Sequence, residues 1–105
     1  AFTAINDLQQ SPAMVPPDID LHAMQVVDVR TRKEQSDLPL DVPAAAIPVD
    51  EVIDRYRELD PSQPTAVICH SGKRAHIAAC WLRNQGFENV VNVTGGMSVR
   101  RLKED

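Results

Sequence analysis

Three short, mostly apolar stretches punctuate the chain, at residues 24–29, 65–68 and 89–93. Each is bounded by polar residues and shows no clean alternation. Such runs predict strands buried on both faces. Between them the apolar positions follow a helical period. Val49, Val52, Ile53, Tyr56 and Leu59 share one face of a helix predicted over 50–59, with Asp50 and Glu51 at its start and Arg55 and Arg57 near its end. A second helix is predicted over 73–85, with Gly86 as its stop. Thr31 followed by Glu34 spells a capping box for a short helix over 31–35. Residues 3–10 predict one or two helical turns, and 97–103 a final helix after Gly95-Gly96. Residues 11–20 and 36–48, with three prolines each, read as loops, the second with a short strand near 46–49.

Strands alternating with helices predict an α/β domain with a mainly parallel sheet covered on both faces. At 105 residues the chain fits one domain, 1–105. With 43% hydrophobic residues it can bury a core, built mainly from Val, Ile, Leu and Ala because aromatics are only 4%. Two cysteines cannot make a disulfide framework. No apolar run approaches a membrane span, and no charged-then-apolar leader opens the chain. These features set the expectation of a cytoplasmic protein without membrane contact.

Charge refines the picture. Residues 1–60 carry 12 acids and 5 bases, and residues 61–105 carry 3 acids and 6 bases. The overall balance of -4 argues against nucleic acid as a partner. The positive second half invites a local anion site. All eight prolines lie at or before Pro64 and all four glycines at or after Gly72, so specialised backbone geometry is expected in the second half.

The chemistry concentrates at Cys69-His70-Ser71-Gly72-Lys73-Arg74. A strand delivers Cys69 to the carboxyl edge of the sheet, where ligands of open α/β folds bind. A short loop with one glycine follows, and then a helix begins. The loop amides, the helix N-terminus and the charges of Lys73 and Arg74 all favour a thiolate over a thiol. The expectation is a nucleophilic Cys69 with an anion cradle formed by His70, Ser71, Gly72, Lys73 and Arg74. Free cysteines are often inert core residues. The five small or polar residues after Cys69 speak against that, because they mark a strand that has surfaced.

This loop resembles the active-site loop of rhodanese-domain sulfurtransferases, in which a catalytic cysteine opens a six-residue loop with glycine fourth. Val26-Val27-Asp28-Val29-Arg30 followed by Glu34 is similar to an early signature of that family. So are Trp81-Leu82-Arg83 with Gly86-Phe87 and Val90 to Val93, and then Gly95-Gly96-Met97. Two passages depart from it. Asp41-Val42-Pro43-Ala44-Ala45 stands where His-Ile-Pro-Gly-Ala is usual, and Arg100 where many members have Trp. The resemblance implies a rhodanese-like α/β fold with a central five-stranded, mainly parallel sheet and helices on both faces. It also implies a sulfurtransferase. A sulfane donor such as thiosulfate would load Cys69 as a persulfide, and the sulfur would pass to cyanide or a thiol, without cofactor or metal. A persulfide relay serving a protein acceptor, or a partner-binding module of a larger protein, is the alternative.

Two rival chemistries use the same residues. Cysteine-dependent phosphatases and arsenate reductases place Arg after Cys and five residues, but that place here is Ala75, with Arg74 one residue early. Cys69, His70, His76 and Cys80 lie close in sequence but lack the second ligand pair that structural metal sites use. Asp28 and Arg30, at the end of the first predicted strand, are expected to be a structural pair.

Overall fold

The computed structural model describes residues 13–15 and 20–93. The predicted turns at 3–10 and helix at 97–103 lie outside these residues. Among the described residues the sheet has five strands, β1 (Ala13–Val15), β2 (Gln25–Asp28), β3 (Ala45–Ala46), β4 (Thr65–Ile68) and β5 (Val90–Val93), in the order β1-β5-β4-β2-β3. Every pairing is parallel. Helix α1 (Arg32–Asp37) follows β2, α2 (Val52–Arg55) follows β3, and α3 (Lys73–Asn84) joins β4 to β5.

The chain leaves β2 toward β3 on one side and leaves β4 toward β5 on the other. The crevice beyond the carboxyl ends of β2 and β4 is therefore the topological switch point, where such folds take ligands. Asp28 closes β2 and Cys69 follows β4, so both candidate segments meet there.

Alternation along the strands divides the core. Val27, Val29, Val67, Cys69 and Val90 face α2 and α3, where they pack on Val52, Ala75, Ala78, Ala79 and Leu82. Val26, Ala66, Ile68, Val91 and Val93 face the opposite side, with Leu21 and Val42. Three alanines of α3, Ala75, Ala78 and Ala79, are buried in this cluster with Val67 of β4 and with Cys69.

Three predicted elements differ in detail. Residues 11–20, read as a loop, contain β1. Among the described residues it stands at the edge of the sheet, paired with β5, and an edge is where the sequence around a strand tolerates proline. The short strand expected near 46–49 lies at Ala45–Ala46. The helix expected over 50–59 is a four-residue α2 between two 3-10 turns, Val49–Glu51 and Tyr56–Glu58. Val52 and Leu59 are buried and Val49 and Tyr56 half-buried, a stripe spaced 3, 4, 3. Ile53 falls outside that narrow stripe and is 60% exposed. The second helix matches its prediction closely, with Gly86 at φ +99 just beyond its end.

Candidate active site

β4 is buried at all four positions, and Cys69 continues it into the switch point. Cys69 has 0% exposure. Burial alone would suit an inert core thiol, but the surroundings of its sulfur are not those of one. The Gly72 N–H donates to Sγ at 2.9 Å and the Ala75 N–H at 3.3 Å. Both donors belong to the start of α3, whose N-terminus carries a partial positive charge. Amides aimed at one sulfur are placed to hold negative charge there.

Gly72 makes this possible. It is the N-cap of α3 with φ +98, a conformation that costs any L side chain about 1–2 kcal/mol. Its carbonyl accepts the His76 N–H at 3.1 Å, the first intrahelical bond, and the Asn92 Nδ2 at 3.2 Å. Asn92 is 1% exposed on β5. It ties the helix start to the neighbouring strand, and reading the sequence missed it. A lone polar residue inside an otherwise apolar strand was the available signal.

The other loop residues divide by exposure. His70, Ser71 and Lys73 are exposed, and Lys73 forms no ion pair among the described residues. Arg74 is half-buried and turns toward α1, donating Nη1 to Glu34 Oε1 at 2.7 Å and Nη2 to Oε2 at 3.0 Å. Glu34 also completes the predicted capping box. It accepts the Thr31 N–H at 3.0 Å, while its own N–H donates to Thr31 Oγ1 at 3.2 Å. Arg74 above all, and then Thr31, hold the Glu34 carboxyl at about 2 against its ordinary 4.5. The same contact raises the Arg74 guanidinium, with smaller contributions from Cys69 and Asp28.

Asp28 and Arg30 form the expected structural pair, deep beneath this arrangement. Arg30 Nη2 donates to Asp28 Oδ2 at 2.8 Å and Nε to Oδ1 at 3.0 Å, with side-chain exposures of 2% and 4%. Arg30 Nη1 also reaches the Glu34 carbonyl at 3.4 Å. An unbroken run of polar contacts thus joins β2, α1 and the start of α3.

The metal rival does not assemble. His76 and Cys80 sit 3.7 Å apart on α3, one turn from each other, while Cys69 is held at the loop. No group of three or more potential metal ligands occurs among the described residues. An apolar hollow of about 70 Å³ lies between α2 and α3, lined by Val49, Val52, Ile53, Ile77, Ala78 and Trp81, none of them a candidate site residue. No helix among the described residues is long and apolar enough to cross a membrane.

The family described as Rhodanese-like domain matches residues 16–99 of the chain. A putative sulfur carrier protein, YrkF of Bacillus subtilis, is 37% identical over 76 residues, which is 71% of this chain and 40% of that protein. A tRNA sulfurtransferase of Vibrio vulnificus is 28% identical over 95 residues, covering 82% of this chain and 20% of that one. Among solved structures, a rhodanese-related protein from Thermoplasma volcanium superposes with a TM-score of 0.78 at 27% identity, covering 87% of this chain and 92% of that one. The chain thus spans less than half of either curated relative.

Proposed function

The chain belongs to the rhodanese-like domain family, and from that premise we propose a sulfurtransferase that works through a persulfide on Cys69. Sulfur transfer as a class of chemistry rests on the family and on relatives named for it. The residue, donor and acceptor are our reading, as is the treatment of residues 1–105 as one domain. The observation that carries it is the pair of amides on Sγ, from Gly72 at 2.9 Å and Ala75 at 3.3 Å.

In the proposed cycle the Cys69 thiolate attacks the outer sulfur of thiosulfate. The bond from that sulfur to the sulfonate sulfur breaks, and its electron pair leaves with sulfite. Cys69 then carries a persulfide anion. Cyanide or a thiolate attacks the terminal sulfur, the Cys69 S–S bond breaks, and the thiolate returns as thiocyanate or a new persulfide departs. No net oxidant or reductant is consumed. The loop amides hold negative charge at both stages without rearranging, which is how preorganised donors lower barriers. A covalent intermediate implies ping-pong kinetics. The chemistry draws on no metal or cofactor. The cytoplasm, where thiols stay reduced, is the compartment this reading assigns to the protein.

A relay that hands sulfur to a protein acceptor uses the same cycle. Two observations favour keeping it. One relative is named a sulfur carrier, and both curated relatives are much longer than the matched region. Mass spectrometry after thiosulfate treatment tests the shared step. The expected result is one added sulfur, about 32 Da, on the Cys69 peptide, removed by cyanide. Label on Cys80 instead, or none with several sulfane donors, overturns the mechanism.

A further inference from the structure

Two cations, Lys73 and Arg74, open α3. That is the wrong end for them, because a helix N-terminus is already positive. The fold answers with a carboxylate brought from 40 residues away. Glu34 grips the Arg74 guanidinium through both oxygens, at 2.7 and 3.0 Å. It is itself held by the capping box of α1, which restrains its position independently of Arg74. Arg74 lies between Gly72 and Ala75, the two residues whose amides reach the sulfur. A planar fork clamped at that point restrains the turn that aims both amides.

We propose that Glu34 is a positioning residue for Cys69, clamping the amide-bearing turn through Arg74 and cancelling the Arg74 charge beside the sulfur. The loop then presents the charge of Lys73 and not of two cations, so recognition of an anionic donor falls to the amides and Lys73. This deepens the sulfurtransferase reading and rests on it only in taking Cys69 as the reacting thiol. It also reassigns Arg74, which the sequence pattern alone placed as a substrate cation. The carboxyl of Glu34, held at about 2, stays ionised throughout the neutral range, so the clamp persists there.

The clamp and the charge can be read separately by alkylating Cys69 in a Cys80→Ser background. Iodoacetamide is neutral and iodoacetate is an anion of similar size. Their rate ratio therefore divides out any opening of the buried site and reports local charge. The local balance from Lys73, Arg74 and Glu34 is one positive charge in the parent, two in Glu34→Gln, none in Arg74→Gln and one in the double variant. The ratio of iodoacetate to iodoacetamide should rise about threefold in Glu34→Gln, fall about threefold in Arg74→Gln and return to the parent value in the double variant, as expected for one screened charge within 10 Å. The iodoacetamide rate itself should fall in both single variants, because either one opens the clamp. A purely structural Glu34 would move both reagents equally and leave the ratio unchanged. Ratios that stay fixed, or that shift the same way in both single variants, overturn the proposal, as does an unaltered iodoacetamide rate in both. If Glu34→Gln folds poorly, Arg74→Gln carries the same test with opposite sign. Because alkylation needs no sulfur donor, failure of thiosulfate to load Cys69 and failure of the Glu34 proposal give different results.

Discussion

Replacing Arg30 by Met should destabilise the fold far more than any surface change. Arg30 is 2% exposed and Asp28 3%, so the pair has little contact with water. In the native fold the Asp28 carboxylate accepts three close bonds from Nε and Nη2, at 3.0, 3.2 and 2.8 Å, and one from the Arg30 amide at 3.1 Å. Met fills similar volume but supplies none of the side-chain donors. The carboxylate would keep a single one of these bonds, from the residue 30 amide, and no counter-charge in contact with it, the Arg74 guanidinium acting only from a distance. Removing one member of a buried pair costs about 3–5 kcal/mol, against a total stability of about 5–15 kcal/mol for a domain this size. Removing both charges should cost much less, because desolvation of the pair offsets most of its attraction. Asp28→Leu/Arg30→Met should therefore recover at least about 2 kcal/mol relative to the sum of the single changes. Urea unfolding gives the numbers, followed by the fluorescence of Trp81, the only tryptophan. Comparable m-values would license the comparison. A cost below about 1 kcal/mol for Arg30→Met, or no recovery in the double variant, would refute the reasoning about burial.

Gly72→Ala and Gly86→Ala form a matched pair, with φ +98 and +99. A Cβ at Gly86 meets nothing within 4 Å, so that change should cost only about 1–2 kcal/mol of strain and leave sulfur loading unaltered. Gly72→Ala carries the same strain and also shifts a donor on Sγ, so loading should fall about tenfold or more; equal loading in the two variants would detach the Gly72 amide from the chemistry. Acid unfolding should show Glu34 directly. Its folded carboxyl binds a proton less readily than the unfolded one, so stability is complete above about pH 4.5 and drains as pH falls toward about 2. With Glu34 33% exposed, solvent screening reduces the effect to about 1 kcal/mol, and Glu34→Gln should flatten that part of the curve; an identical acid limb would contradict the pairing. Cys69→Ser should abolish loading while Cys80→Ser keeps most of it. Cys80 lies seven residues along α3, about 10 Å by helical rise, too far to form a disulfide with Cys69; a 69–80 disulfide in mildly oxidised native protein would refute that geometry.

What the sequence disclosed depends on how local each signal is. β2, β4, α3 and its Gly86 stop are written in consecutive residues, so hydrophobic runs and turn chemistry sufficed. The Thr31–Glu34 capping box is equally local and was legible as a cap. Its second use, gripping Arg74, depends on β2 and β4 being neighbours, and no spacing rule spans 40 residues. Asn92 is similar. Its bond to the Gly72 carbonyl exists because β5 lies beside β4 and presents positions 90 and 92 to the α3 side. β1 escaped notice because three residues of edge strand between prolines leave no periodicity to detect. The loop cysteine was legible because a buried strand ran straight into small and polar residues. The identity of its amide donors, Gly72 and Ala75, required the positive φ of one glycine.

The same donors bear on the choice between sulfur and phosphoryl chemistry. A cysteine-dependent phosphatase needs a guanidinium at the sixth position after the cysteine, where it can grip two oxygens of a tetrahedral oxyanion. Here that position is Ala75, which has 0% exposure and contributes only its amide to the site and its methyl to the core. The nearest guanidinium, one residue earlier, has both terminal nitrogens committed to Glu34. Freeing it would break a buttressed bidentate pair, so the loop offers an incoming anion amides and one exposed lysine. A phosphoryl group would find the Arg74 guanidinium already paired with Glu34. A single sulfur added to Cys69 places one negative charge next to amides already directed at the sulfur. On the sulfurtransferase reading proposed above, the amides at Cys69 suit a persulfide anion, and the pairing with Glu34 leaves Arg74 out of the anion site.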